Sequence, residues 1–415
     1  MLCVSSIAGF IQVIKAEGVT IYINADGSIS PSTAPIYSAD NITYTLTGNI
    51  ASNGDGIVIE RDNIVLNGAG YTVTGSRFGY GIALENVGNV TVNNMMITDF
   101  ADGIWLNSAS SNTLSGNNVA SSPFGIELNS SSGNTLSGNT VANNEDGILL
   151  SNSSSCTLSG NNVTANEPYG IWLDSSENNT LSGNNITSND EGVYFSFSSN
   201  NTSSGNTLSD NNVTNSVYGI ILDSSSSDTL FGNNIANNDY GVDLDSSSGN
   251  TLSGNNVAAN TDYGFWLSLS SNNTLSGNNV ANNGHNVANN GYGIGLDSSS
   301  NNFIFHNNFV NNTNQVITDG LANVWDNGSS GNYWSDYLTR YPNATEVDSS
   351  GVWNTPYISM RSPYVIDTNN TDYYPLMVPI VVVPEFPTIQ ATMFFMLLVL
   401  LAVIIYKKKG LKSAS

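Results

Sequence analysis

Basic residues are scarce in this chain. Its 415 residues contain nine Lys and Arg against 33 Asp and Glu, for a formal charge of -24. Between Glu17 and Pro387 the basic residues are Arg61, Arg77, Arg340 and Arg361, and none falls from Phe78 to Thr339. Phosphate backbones need Lys and Arg opposite them, so nucleic acid is excluded as a partner. Polyanionic sugars and anionic lipid surfaces are disfavoured by the same argument. Cysteine is almost absent too. Cys3 and Cys156 are the two, which leaves no internal disulfide framework and no ligand pair with metal spacing. Histidine stops at His285 and His306. Glycine is plentiful but lacks a three-residue period, which excludes collagen.

What remains is Asn, Ser, Gly and a regular set of apolar residues. A Gly-apolar-any-apolar phrase recurs at Gly56, Gly81, Gly103, Gly125, Gly147, Gly170, Gly192, Gly219, Gly241, Gly264 and Gly293, most often 22 residues apart. A second phrase, TLSGNNV or a near variant, alternates with it and carries Leu114, Leu136, Leu158, Leu181, Leu208, Leu230, Leu252 and Leu275. Such self-similarity marks a solenoid, in which no repeat buries its apolar face alone. Each repeat reads as two very short strands joined at Gly and Asn bends, with no helical stretch. The expected fold is all-β: a single-stranded right-handed parallel β-helix with 22-residue coils. Roughly twelve coils at the β spacing make a rod of about 55–60 Å.

Strand alternation assigns faces. Ile104 and Leu106 point inward, as do Leu114 and Val119, with a bend at Gly116. Asn112, Asn134, Asn179, Asn206, Asn250 and Asn273 fall in one row and are expected to form an amide ladder at a bend. Cys156 and Asp228 occupy the same row, so Cys156 reads as a buried substitute. The longer steps, near Ser196 to Gly205 and around His285, mark insertions.

Two outward rows carry the candidate chemistry. The first runs Trp105, Glu127, Leu149, Trp172, Tyr194, Ile221, Asp243 and Trp266. Trp105, Trp172, Tyr194 and Trp266 are candidate glycan contacts, because aromatic faces are apolar platforms; alternatively they stack on one another. The second row contains Asp174, Asp223, Asp245 and Asp297. Asp223, Asp243 and Asp245 are candidate acid and base groups for glycoside hydrolysis, or ligands for a hard cation. No Lys or Arg stands beside them to hold an anionic sugar.

The ends read as targeting signals. Residues 1–16 resemble a secretory signal peptide. Residues 17–55 form an N-terminal cap with the first strands, 56–317 the repeats and 318–377 a C-terminal flank. A Pro-rich stem (378–387) precedes an uncharged run at 388–406, long enough for a transmembrane helix. Lys407, Lys408 and Lys409 head a cytoplasmic tail (407–415), leaving the large N-terminal portion outside a single-pass cell membrane protein. Such an exported chain meets glycosylation machinery, so sequons at Asn41, Asn89, Asn129, Asn152, Asn162, Asn185, Asn212, Asn272, Asn311, Asn327, Asn343 and Asn369 are candidate acceptors. If Asn162 and Asn212 point outward, glycans stack along one edge of the rod; if they form an internal ladder, they are spared.

The repeated GIWL and NTLSGNNV phrases resemble the β-helix repeats of the NosD-like and carbohydrate-binding/sugar-hydrolase families. GNYWSDY, from Gly331 to Tyr337, resembles the segment that follows the helix in archaeal NosD-like surface proteins, as do Thr355-Pro356-Tyr357 and Tyr374-Pro375-Leu376. The tail VPEFPT, with its apolar run and lysines, resembles an archaeal surface anchor of the PEF type. The resemblance implies an acidic cation site after the repeats, where NATEVDSSGVWN is a depleted version of the family's loop. Asp336, Asp348 and Asp372 remain as its candidates, with Ca2+ as the implied ion and no other cofactor expected. It also implies a NosD-like accessory role described as copper-binding, for which the chain carries neither a Cys cluster nor a His set. The function expected is an extracellular structural or adhesive rod contacting glycans or envelope proteins, with a polysaccharide hydrolase as the alternative.

Overall fold

The computed structural model describes residues 18–196, 205–285, 291–362 and 365–381. The first 16 residues, both insertions in large part and the apolar run 388–406 lie outside these. Among the described residues no helix is long and apolar enough to cross a membrane.

The described chain winds into a right-handed β-solenoid of about 13 turns. Its strands assemble into one 14-stranded and two 13-stranded sheets. A typical coil contains Asp102–Asn107, Thr113–Ser115 and Asn118–Ala120. Each coil therefore has three strands, where two were expected. The correction lies within TLSGNNV: Gly116 takes a positive φ of 62° and splits the phrase between two sheets. Glycine adopts that angle without the penalty a Cβ brings. Register is strict from coil to coil, as in Ile104 with Ile126 and Leu114 with Leu136.

Packing follows from that register. Ile104, Leu106, Leu114 and Val119 are fully buried, and so are their counterparts along the rod. The glycine heading each wide strand has a steric cause. A Cβ on Gly147 would lie 2.4 Å from the Gly170 carbonyl oxygen, a backbone atom that cannot step aside.

Polar groups at the corners are satisfied by asparagine ladders. The expected row is present: Asn112 N donates to Asn134 Oδ1 (2.8 Å) and Asn134 Nδ2 to Ala109 O (3.0 Å). A second ladder passes through Asn117, Asn139, Asn161, Asn184, Asn211, Asn233, Asn255 and Asn278. A third includes Asn144, Asn166, Asn189, Asn238, Asn260 and Asn283. Backbone N–H groups leave the sheets at each bend, and a side-chain oxygen from the next coil receives them. Cys156 keeps its place in the first ladder: its N donates to Asn179 Oδ1 and its Sγ to Ser131 O. Burial pushes its thiol pKa up, as suits a structural cysteine.

Both ends are capped. At the N-terminal end, antiparallel pairs Ile21–Ile23 with Ile29–Ser30 and Ile36–Ser38 with Thr43–Leu46 join the sheets. At the other end the flank terminates two of the ladders, and Gln315 on the last wide strand terminates the third. Asn323 N donates to Asn370 Oδ1, Asn332 N to Asp372 Oδ2 and Asn312 Nδ2 to Gln315 Oε1. Trp334 stacks between Phe309 (4.4 Å) and Tyr357 (4.1 Å), plugging the open core.

Candidate functional site

The outer face of the 14-stranded sheet gathers most of the candidate residues. On Tyr218–Asp223, Ile220 and Leu222 turn inward, while Ile221 and Asp223 turn outward. Gly219 interrupts the pairing register, and Tyr218 before it also sits half-exposed on the outer side. That produces an extra row which the alternation argument missed. The YG dipeptide at Tyr80, Tyr169, Tyr218, Tyr240, Tyr263 and Tyr292 was its signal.

The rings of this row form a stack along the rod. Tyr218, Tyr240, Tyr263 and Tyr292 follow one another with centroids 4.8, 5.5 and 5.7 Å apart. The four candidate aromatics lean on the same row. Trp105 stacks on Tyr80 at 4.2 Å, and Trp172 and Tyr194 both contact Tyr169. Trp266 contacts Tyr263 at 4.7 Å and leans across Gly295, which has no side chain to hold it off. Mutual stacking thus accounts for part of their burial. Ring edges and hydroxyls are what they present outward.

Carboxylates border these rings. Asp223 and Asp245 are register neighbours, and Asp243 lies on the strand with Asp245. Asp223 accepts the Tyr194 hydroxyl at 3.2 Å. Burial pushes Asp243 up to about 7, helped by the charges of Asp245 and Asp223, and its Oδ1 has no hydrogen-bond partner. Farther up the face, burial raises Glu191 to about 7 and Asp102 to about 7, with Asp146 at about 6.

The cation candidates have separate surroundings. Asp372 spends its oxygens on Asn332 N, Trp334 Nε1 and Tyr374 N. Asp336 Oδ2 accepts the Tyr357 hydroxyl at 3.1 Å. Asp348 is exposed in a turn with φ 46°. Among the described residues no group of three or more His, Cys, Asp or Glu is placed to hold a metal ion.

The sequon asparagines all avoid the buried ladders and are exposed or half-exposed. Asn162, Asn185 and Asn212 form an outward ladder instead: Asn185 Nδ2 donates to Asn162 Oδ1 at 2.7 Å and Asn212 Nδ2 to Asn185 Oδ1 at 2.8 Å. Attaching a glycan to Asn185 or Asn212 would replace one of the two hydrogens on a nitrogen that makes a rung.

The family described as periplasmic copper-binding protein (NosD) matches over residues 4–133, 40–213 and 201–339. The chain belongs to the NosD family. No curated protein matches it. Among solved structures, this NosD-family chain is similar to the A-module of mannuronan C-5 epimerase AlgE6 of Azotobacter vinelandii, with a TM-score of 0.56 and 17% identity over 66% of this chain and 84% of that one. It is also similar to a variant of the periplasmic alginate epimerase AlgG, with a TM-score of 0.51 and 14% identity over 74% of this chain and 82% of that one. At such identities the likeness shows the fold. Among the described residues no donor set matches the copper that the family description names. Cys156 is sealed in a ladder, while His285 Nδ1 and His306 Nε2 bond to Thr313 and Ser330. Copper favours convergent thiolate, thioether or imidazole ligands.

Proposed function

We propose that this NosD-family chain is a surface-displayed structural or adhesive rod whose wide outer face contacts neutral glycans. The observation that carries the reading is the stack Tyr218–Tyr240–Tyr263–Tyr292, bordered by Asp223, Asp243 and Asp245. Tyrosine hydroxyls recur there once per coil, at about 4.8 Å, a spacing on the scale of a single sugar unit, with carboxylates beside them on the coils of Asp223 and of Asp243 and Asp245. Aromatic edges supply apolar contact between them. The absence of Lys and Arg from Phe78 to Thr339 favours uncharged sugars over polyuronates. Export and membrane anchorage are supported by the uncharged run at 388–406 and the lysines after it.

A hydrolase on the same face is favoured by one observation, the carboxyl of Asp243, which burial raises to about 7 and whose Oδ1 has no hydrogen-bond partner, beside two other carboxylates. One experiment separates the readings. The full chain is immobilised and challenged with neutral polysaccharides and with polyuronates, and released reducing ends are measured in the same incubation. The expected result is retention of at least one neutral polymer, no retention of polyuronates and no release of reducing ends. Tyr240→Ala, which opens a gap in the stack, should weaken retention by about fivefold. Reducing ends that appear with the wild-type chain and vanish with Asp243→Asn would replace binding by hydrolysis. No retention of any neutral polymer would remove the glycan reading.

A further inference from the structure

The aromatic row does not simply run out at the end of the rod. Tyr292 is followed in register by Asn314, whose side chain is tied back to Gly291 O at 3.1 Å. One face of Tyr292 stacks on Tyr263. Beyond Tyr292 lies a cavity of about 300 Å³ between the last wide strand and the C-terminal flank. Tyr292, Asn314, Asp336, Arg340, Tyr357 and Ser359 line it. This volume is at the small end for organic ligands.

The polar groups in this cavity are arranged but incompletely used. Ser359 is 3% exposed, and its Oγ has no hydrogen-bond partner; Asp336 Oδ1 is buried without one as well. Buried polar atoms are ordinarily paired, so two orphans lining one cavity point to an absent ligand. Around them the side chains are held firmly. Tyr357 donates its hydroxyl to Asp336 Oδ2, and Arg340 lies over the Tyr357 ring at 4.4 Å while Nη2 donates to Ile358 O at 2.9 Å. A carboxylate acceptor, a guanidinium donor and a hydroxyl thus converge in one small space. Vicinal sugar hydroxyls match that set, since each can donate to Asp336 and accept from Arg340. The negative charge of Asp336 offsets the positive charge of Arg340, so the site as a whole does not call for an anion.

We propose that this cavity is a terminal subsite, which takes the end unit of a neutral glycan lying along the tyrosine stack. The inference rests on the glycan-contact reading above and deepens it: the flank strand Tyr357–Ser362 packs on Asn314–Thr318 and closes the track, so the chain of sugars ends there.

The test uses the full chain and compares linear hexasaccharides of glucose, mannose and N-acetylglucosamine with long soluble polymers of the same units, by calorimetry. In short chains the end unit is a large share of the contact; in long polymers it is a small one. Asp336→Asn should weaken binding of the best hexasaccharide about tenfold and leave polymer binding per site within about twofold. Ser359→Ala should weaken the hexasaccharide by about threefold to fivefold while leaving the melting midpoint unchanged or raised, because it deletes an orphan hydroxyl. A merely structural serine would not produce that split. If both variants bind the hexasaccharide like wild type while Tyr240→Ala still weakens it, the terminal subsite is overturned and the glycan face stands. If the wild-type chain binds none of the probes, both fall.

Discussion

Asn233→Ala is expected to destabilise the rod by about 3–5 kcal/mol, among the largest effects available from one side chain. Asn233 is fully buried at a corner. Its Oδ1 accepts from both Asn211 N (3.0 Å) and Asn211 Nδ2 (2.9 Å), and its Nδ2 donates to Leu208 O (3.0 Å) and Asn255 Oδ1 (3.0 Å). Alanine would strand the backbone N–H of Asn211, remove one of the two bonds its Nδ2 makes, and leave the Leu208 carbonyl short of a donor. Each buried orphan costs about 1–3 kcal/mol, and water cannot enter the packed corner to relieve it. The control is one residue further on. Asn234 belongs to the outward ladder, donating to Asn212 Oδ1 at 2.7 Å, and it is half-exposed. Water replaces its rung, so Asn234→Ala should cost less than about 1 kcal/mol. Urea denaturation followed by circular dichroism compares the two. Equal midpoint shifts would contradict the ladder account.

A melting midpoint higher at pH 5 than at pH 8, by roughly 5 °C or more, is the second expectation. Burial is the leading cause that raises Asp102 and Asp372 to about 7 and Asp146 and Asp228 to about 6. An unfolded aspartate titrates near 3.9. Between about pH 4 and pH 7 the folded chain therefore holds more protons than the unfolded one. Stability then falls as pH rises through this window and levels off above it. Asp26 and Asp40 have lowered values and act in the opposite direction, but both are fully exposed and hydrogen-bonded locally. Asp228→Asn should flatten the slope, because asparagine is the normal occupant of that ladder position and does not titrate. A midpoint that climbs from pH 5 to pH 8 would contradict the burial of these carboxyls.

The two predictions also show what sequence periodicity reveals. The inward rows and the first ladder were legible because their residues recur once per coil with one chemical character. Most of the second ladder and part of the third were hidden in doublets such as Asn161-Asn162. One amide of that doublet faces a sealed corner and the other faces outward, and composition cannot say which. Counting two strands per coil instead of three had the same origin: TLSGNNV reads as one phrase until the left-handed Gly116 divides it. The tyrosine stack escaped notice because simple alternation places the residue before glycine on the inner side, and the irregular pairing at glycine moves it out. The end cavity was beyond reach for another reason. It joins Tyr292 in the last regular coils to Asp336, Arg340 and Ser359 in a flank without period. Asp336 was visible as a candidate, but as a cation ligand, since its Tyr357 and Arg340 surroundings depend on how the flank folds back.

Hydroxyl-radical footprinting of the full chain, with and without the neutral polymer it retains best, tests the glycan face most directly. The account predicts that Tyr218, Tyr240, Tyr263, Trp266 and Tyr292 lose reactivity together when the polymer binds. Tyr37 and Tyr373, which are 63% and 60% exposed away from that stack, should react as before. Protection of Tyr37 and Tyr373 with an unchanged tyrosine stack would contradict it.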